Sequence, residues 1–309
     1  MGKITDIKPE KKTSAGFDFI GRGWMAYLFS GLLFALGLIG LIKNGGVGWS
    51  IDFTGGTVVQ FSFSKAVSLP ELRELLKPLG WGTVNIQEFV GTHSFALRLP
   101  VMENSEKVTA RIRDTLKLHD QNLVMERVEM VGPVVGKFLV KLATKAFFFS
   151  FLGIMVYVGI RFKGTVWGLA GILALVHDVV ITFGIMNFLG REISLVVVSA
   201  LLTLAGYSIN DTIVVYDRIR EYLRLRGSGK NVKETFNESI QAVLPRTVIT
   251  SMTTVFVTIA LLIFGGEVIR DFSLALSLGI ILGTYSSIFI ASPIVYAWKF
   301  KTRSGGGKG

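Results

Sequence analysis

The sequence predicts a polytopic α-helical membrane protein with six transmembrane helices and one α+β domain between the first and second helix. Half of the 309 residues are hydrophobic and 18% are charged. This balance is too apolar for a soluble domain and too charged for membrane helices alone. Long apolar runs account for the hydrophobic excess, whereas residues 44–135 lack such runs and alternate in polarity. Both observations indicate membrane helices joined to one water-facing domain.

Six apolar runs are long enough to cross the ~30 Å of hydrocarbon in a bilayer. They lie at residues 24–43, 140–160, 165–188, 193–216, 247–265 and 271–298. The second run is short, and we extend it backwards through Lys137, Lys141 and Lys145, which share one helical face and can snorkel to the interface. We therefore assign residues 24–43 to the first transmembrane helix and residues 136–298 to the other five. No small-residue cleavage site follows the first run, so it is expected to remain as an anchor.

The basic residues predict the orientation in the membrane. If the N-terminus is cytoplasmic, more than half of the 33 Lys and Arg residues lie in cytoplasmic segments, and the two short outer loops contain only Arg191 and Arg270. The positive-inside rule then places both termini in the cytoplasm. Residues 1–23 form the N-terminal segment, residues 217–245 the main cytoplasmic loop and residues 299–309 the tail. The net charge of +11 is explained by this orientation and requires no nucleic-acid partner.

Residues 44–135 predict a ferredoxin-like domain outside the cytoplasm. Thr57–Phe63 alternates with the period of a strand, and Ser68 with Glu71 forms a capping box at the start of a helix. Two strands separated by Gly91-Thr92-His93 read as a hairpin, followed by an amphipathic helix at 105–118 and a strand at 123–131. The order β-α-β-β-α-β is that of the split βαβ, ferredoxin-like arrangement.

Several classes of active site are excluded by composition and motif. The chain has no cysteine, which excludes disulfides and thiolate sites, and its three histidines are too few and too scattered for a zinc site. Neither a phosphate-binding glycine loop nor a hydrolase or metalloprotease motif occurs. We therefore expect no cofactor, no metal and no enzymatic activity.

A carboxylate within the fourth apolar run is the strongest functional signal. Asp211, preceded by Asn210, lies in apolar sequence, where an ionisable residue costs ~3 kcal/mol on insertion scales and is by default functional. Arg246 follows Pro245, which suits the first turn of the fifth helix, at a depth within about two turns of Asp211. Because a guanidinium keeps its charge while a desolvated carboxylate can be neutralised, Asp211 and Arg246 predict a proton carrier. The alternative is that Asp211 only joins two helices through a hydrogen bond.

Other polar residues accompany this pair. His177 and Asp178 lie near the middle of the third run, and adjacent residues point about 100° apart on a helix, so they are expected to bind an ion together only with ligands from another helix. Thr250 belongs to a hydroxyl-rich stripe on the fifth run that either carries hydrogen bonds or packs helices closely. Asp217 and Arg218 mark the cytoplasmic end of the fourth run.

Five motifs resemble the SecF family of bacterial protein-export subunits, and the likeness covers nearly the whole chain. The motifs are Phe17–Arg22, Trp49–Gly56, Ala174–Asp178, Gly206–Glu221 and Leu244–Thr247. In the second of these motifs, Asp52, Gly55 and Gly56 match the family's Gly-Ile-Asp-Phe-Thr-Gly-Gly signature.

The resemblance implies an RND-superfamily half-bundle of six helices in the bacterial cytoplasmic (inner) membrane. It implies the partners SecD, SecYEG, YajC and YidC, with an exported unfolded polypeptide as the substrate of the assembly. It also implies that Asp211 and Arg246 take part in proton movement, that the proton-motive force drives late stages of export, and that the subunit is no enzyme. The residues alone leave open a passive scaffold, half of a proton-driven small-molecule exporter, and sodium in place of protons.

Overall fold

The computed structural model describes residues 17–89, 93–226 and 232–301. Its residues form two compact units. One comprises 1–46, 147–191 and 199–309 within the described ranges, and the other comprises 47–146 and 192–198.

Most of the described chain is helical. The helices are α1 (Gly23–Lys43), α2 (Ile51–Thr54), α3 (Leu69–Leu76), α4 (Ser105–His119), α5 (Pro133–Arg161), α6 (Thr165–Phe188), α7 (Leu195–Arg226), α8 (Val232–Phe264), α9 (Glu267–Ser286) and α10 (Ser292–Tyr296). Within the described ranges six segments are long and apolar enough to cross a membrane, in α1, α5, α6, α7, α8 and from Ile269 in α9 to Tyr296 in α10. The predicted number of membrane helices is thus confirmed.

Close packing of α1 against α6 depends on glycine. A Cβ atom on Gly37 would lie 2.9 Å from the Cα of Gly184, and one on Gly40 would lie 2.5 Å from the Cα of Phe188. Both distances are too short for any side chain. Membrane helices associate closely where small residues let their backbones approach, and this contact holds α1 beside α6.

The start of the fifth membrane helix differs from the prediction. We expected Pro245 to open the fifth helix, but α8 begins at Val232 and includes Pro245 in its interior. Phe236, Ile240 and Val243 are buried on the stretch before the proline, and burial of this apolar face stabilises the helix there more than the missing N–H weakens it. Within 217–245, the described residues up to 226 and from 232 onwards therefore belong to the ends of α7 and α8.

The second unit contains a four-stranded antiparallel sheet. Its strands are β1 (Gly56–Ser62), β2 (Asn85–Phe89), β3 (Ser94–Leu99) and β4 (Val124–Val131), in the spatial order β2-β3-β1-β4. The helices α3 and α4 alternate with the strands in the sequence order β-α-β-β-α-β.

The core of this unit follows the alternation seen in the sequence. Val59 and Phe61 of β1 and Ile112 and Leu116 of α4 are fully buried, because period two in a strand and periods three and four in a helix place them on one face. The capping box between Ser68 and Glu71 is present in both directions, as predicted. Gly91 and Thr92 of the predicted hairpin lie outside the described residues.

Candidate functional site

The Asp211 carboxylate lies among three helices of the membrane unit. The residue is 3% exposed, on α7, and its Oδ2 atom accepts hydrogen bonds from Ser251 Oγ of α8 at 3.0 Å and from Thr284 Oγ1 of α9 at 3.1 Å. The two hydroxyls are themselves 2.6 Å apart. In the part of the chain that the structure describes, no cation pairs with Asp211 and no hydrogen bond reaches its Oδ1 atom.

The structure does not bring Arg246 to Asp211. Arg246 is exposed on α8, five residues before Ser251, and at 100° per residue the two side chains point about 140° apart. A sequence places a residue at a depth along a helix, but its rotational position depends on how the helices pack. The expected shared gap is therefore absent from this conformation.

Asn210 and Thr250 also lie outside the contacts of Asp211. Asn210 is exposed on α7. The Thr250 hydroxyl donates within its own helix, at 3.0 Å from the Arg246 carbonyl oxygen and 2.9 Å from that of Thr247. The hydroxyl that sequence reasoning missed is Thr284. The sequence feature that could have pointed to Thr284 is the polar run Gly283-Thr284-Tyr285-Ser286-Ser287 inside an otherwise apolar helix.

His177 and Asp178 form a second polar cluster. His177 Nδ1 lies 2.9 Å from Asp178 Oδ1, so the two adjacent side chains meet despite their angular separation. Asp178 is fully buried, and its Oδ2 atom accepts from Ser208 Oγ at 2.6 Å and Ser286 Oγ at 2.7 Å. Hydroxyls from α7 and α9 thus join this pair in one cluster.

Asp217 and Arg218 lie in surface ion pairs near the end of α7. Arg161 Nη2 donates to Asp217 Oδ2 at 3.0 Å, and Arg218 Nη1 donates to Glu221 Oε2 at 2.7 Å. These four side chains are about one third to one half exposed. Such pairs contribute little to stability, and neither contacts the Asp211 cluster.

The Asp52 motif positions the start of α7. Asp52 Oδ2 accepts a hydrogen bond from the Leu195 backbone N–H at 2.8 Å, which satisfies one of the unpaired donors at that helix end. Gly56 has φ +130°, and a Cβ there would lie 2.5 Å from the Leu99 carbonyl oxygen; Gly55 has φ +73°. These positions require glycine because an L side chain rarely adopts such backbone angles.

An ion pair that the sequence did not reveal joins the first motif to α8. Lys233 Nζ donates to Asp18 Oδ2 at 2.6 Å, and Asn237 Nδ2 and the Gly21 N–H donate to Oδ1 at 2.8 and 2.9 Å. The hydrogen bond from Lys233 is the main cause that lowers the pKa of Asp18 from 3.8 to about 2, and the Gly21 and Asn237 donors add to it.

The fold and its buried carboxylates define a polytopic membrane protein with a small sheet domain inserted after its first helix. Family models for the C-terminal part of the protein export membrane proteins SecD and SecF and for the SecD/SecF GG motif match residues 111–301 and 45–67. The protein translocase subunit SecF of Calditerrivibrio nitroreducens is 43% identical over 297 residues, which cover 93% of this chain and 96% of that protein. That of Endomicrobium trichonymphae is 38% identical over 295 residues, with 94% and 93% covered. The chain belongs to the SecF family.

Solved structures agree with this assignment. The crystal structure of SecDF, a translocon-associated membrane protein from Thermus thermophilus, matches with a TM-score of 0.82 and 38% identity. The match covers 94% of this chain and 40% of that one. A SecDF crystal structure in a super-membrane-facing form matches with a TM-score of 0.68 and 37% identity over 96% of this chain and 40% of that one. The resemblance inferred from the five motifs is confirmed.

Proposed function

We propose that this chain is an auxiliary subunit of the Sec translocon that, together with SecD, uses the proton-motive force to promote late stages of protein export. The observation that carries the proposal is the burial of Asp211 among apolar helices with only hydroxyl partners from the described residues. An ionised carboxylate in such surroundings is strongly disfavoured unless it is paired. Binding a proton removes the charge, so Asp211 is suited to take up and release one.

Each state of Asp211 has its own arrangement of hydrogen bonds. In the ionised state the Ser251 and Thr284 hydroxyls both donate to Oδ2. In the proton-bound state the new proton is carried on Oδ1, and the weaker acceptor at Oδ2 frees the hydroxyls to bond to each other or to their own helices. Proton binding therefore changes how strongly α7 is held to α8 and α9. Coupling of proton movement to a change of conformation requires a structural element with two states, and this contact between helices supplies it.

Arg246 and Asn210 enter this proposal through a second conformation. Pro245 removes one backbone hydrogen bond from the interior of α8, and helices bend most readily at such positions. A bend or rotation at Pro245 turns the Arg246 guanidinium towards Asp211 and favours the ionised carboxylate, which expels the proton. Asn210 takes part in proton transfer with this pair, and His177, Asp178, Thr250, Asp217 and Arg218 are supporting polar residues.

The rest of the assembly is proposed from the family. The sheet order β2-β3-β1-β4 supports a ferredoxin-like domain on the periplasmic side, in residues 44–135, where it contacts the exported polypeptide. The six membrane helices form one RND-type half-bundle, because the matched SecDF chain is much longer than this one, and SecD supplies the other half. Both termini face the cytoplasm, the membrane is the bacterial inner membrane, and SecYEG, YajC and YidC are the further partners. The subunit itself catalyses no reaction.

Gradient-dependent export in inverted membrane vesicles tests this function. Wild-type vesicles should complete export of a preprotein faster when a proton gradient is imposed, and Asp211→Asn vesicles should lose that acceleration at equal subunit levels. Arg246→Met should behave like Asp211→Asn. Export that responds equally to the gradient in all three would support the passive scaffold instead, and a response to a sodium gradient alone would replace the proton. Efflux of small molecules without export would favour the exporter.

A further inference from the structure

We propose that the His177–Asp178 pair is a second proton-binding site, which holds one proton between His177 Nδ1 and Asp178 Oδ1. In this proposal Tyr285 acts through Ser30 to determine that the proton is present. The inference goes beyond the proton carrier at Asp211 and does not depend on it. It follows from counting donors and acceptors in one continuous chain of hydrogen bonds that joins α1, α6 and α9.

The chain of hydrogen bonds begins at Tyr285, whose only hydroxyl proton has a defined acceptor. Tyr285 Oη donates to the Ala26 carbonyl oxygen at 2.6 Å, and a carbonyl oxygen can only accept. The same Oη atom lies 3.2 Å from Ser30 Oγ. If every contact of this chain is made as a hydrogen bond, Ser30 is the donor in this second contact, because the tyrosine proton is already used.

The direction set by Tyr285 determines one nitrogen of His177. Ser30 Oγ lies 2.8 Å from His177 Nε2, and the single hydroxyl proton of Ser30 is directed at Tyr285. Ser30 therefore accepts from the imidazole, and Nε2 carries a proton. The tautomer of a histidine is generally set in this way by the partner of one ring nitrogen.

The other nitrogen faces the carboxylate and also needs a proton between the two atoms. His177 Nδ1 and Asp178 Oδ1 lie 2.9 Å apart. Either an imidazolium donates to the carboxylate or a carboxylic acid donates to a neutral imidazole. Both forms contain the same number of protons and make the pair neutral. Without that proton a nitrogen lone pair would face an anionic oxygen at hydrogen-bond distance.

The surroundings supply no other charge to balance the carboxylate. Asp178 Oδ2 is held by the hydroxyls of Ser208 on α7 and Ser286 on α9. No Lys or Arg among the described residues bonds to this cluster. The other titratable groups near it are Tyr285 itself and Tyr27 of α1, while Asp211, three residues after Ser208 on α7, bonds to Ser251 and Thr284. A proton is therefore the ligand that neutralises Asp178.

The two side chains of the pair differ in their exposure. The Asp178 side chain is 0% exposed, whereas the His177 side chain is 16% exposed. The imidazole is thus the more accessible part of the pair, and in this proposal the carboxylate takes or gives its proton through the ring.

Nitrogen NMR of the single remaining histidine tests the proposal. The protein is labelled with ¹⁵N-histidine in a His93→Gln, His119→Gln background and reconstituted in lipid bilayers at pH 7.5. We expect His177 Nε2 to be protonated and Nδ1 to share a proton with Asp178, seen as an imidazolium or as a strongly hydrogen-bonded neutral ring. A neutral ring with an unprotonated Nε2 would overturn the proposal, because the pair would then carry a negative charge.

Two tyrosine variants test the control by Tyr285. Tyr285→Phe removes the acceptor of the Ser30 proton, so Ser30 can donate to Nε2 and the ring should change to the tautomer with a bare Nε2. Tyr27→Phe, on α1, should leave the wild-type spectrum unchanged. An Nε2 that stays protonated in Tyr285→Phe would contradict the assignment to Tyr285. The wild-type spectrum decides the proton count even if Tyr285→Phe fails to assemble, and neither measurement depends on export activity.

Discussion

Ser251 donates a 3.0 Å hydrogen bond to Asp211 Oδ2 and thereby joins α8 to α7 at a buried carboxylate. Arg246, on the same helix as Ser251, faces another direction. The described conformation is therefore one in which hydroxyls, and no guanidinium, hold the carboxylate. In the proposed cycle, the occupancy of Asp211 by a proton therefore depends on Ser251 and Thr284, two residues that carry no charge of their own.

Removing the Ser251 hydroxyl should slow proton movement without abolishing it. A hydrogen bond to a charged group contributes about 1.5–3 kcal/mol, and its loss disfavours the ionised state of Asp211 in the cycle. We expect Ser251→Ala to lower gradient-driven export about tenfold and Ser251→Thr, which keeps the hydroxyl, to retain most of it. Vesicle export assays at matched subunit levels measure this, and equal activity of Ser251→Ala and wild type would contradict the role of the hydroxyl.

The Asp18–Lys233 ion pair should make a small, pH-dependent contribution to stability. Because the pKa of Asp18 is lowered from 3.8 to about 2 in the folded protein, the stabilisation is present above about pH 4 and is lost as the pH falls through 2. Both side chains are more than 40% exposed, so solvent screening limits the contribution to about 1 kcal/mol or less.

Asp18→Asn should accordingly lower the thermal unfolding midpoint in detergent at pH 7 by a few degrees. The difference from wild type should shrink as the pH is lowered below 4. The control is Glu74→Gln. The side chains of Glu74 and its partner Lys77 are both about 70% exposed, so this change should leave the midpoint unchanged. A deficit for Asp18→Asn that persists at pH 2 would show that charge is not its cause.

The Asp52 carboxylate should protect the first turn of α7. Asp52→Ala removes the acceptor for the Leu195 N–H, a change that costs about 1 kcal/mol at a helix start. Asp52→Asn keeps an oxygen acceptor and should cost less. Hydrogen exchange at Leu195 should be about fivefold faster in Asp52→Ala than in Asp52→Asn, and equal rates would mean that the hydrogen bond does not stabilise this helix end.

Gly37 should be intolerant of even one methyl group. A Cβ there meets the Gly184 backbone at 2.9 Å, and overpacking costs about 1–3 kcal/mol. On the same helix Gly31 has open space around its Cβ position, so Gly31→Ala should be neutral or stabilising because alanine is the better helix former. Thermal unfolding in detergent compares Gly37→Ala with Gly31→Ala, and equal midpoints would argue against close packing of α1 on α6.

Periodicity in the sequence was sufficient to predict the six membrane helices and the order of strands and helices in the sheet domain. Local hydrogen bonding could also be predicted, as for the capping box of Ser68 and Glu71. Pro245 was misread because local signals ignore the burial of Phe236 and Ile240, which continues the helix through the proline. The partners of Asp211 could not be derived, because they depend on the rotation of α8 and α9, which only the packed helices determine.

The central claim is that Asp211 carries protons across the membrane, and proton flux measures it most directly. The chain is reconstituted with SecD and SecYEG in liposomes that contain a pH-sensitive dye, and a proton gradient is imposed. Wild type and Glu74→Gln, a change to an exposed carboxylate of the sheet domain, should show equal flux. Asp211→Asn should fall to the level of protein-free liposomes. Flux through Asp211→Asn equal to that of wild type would contradict the account.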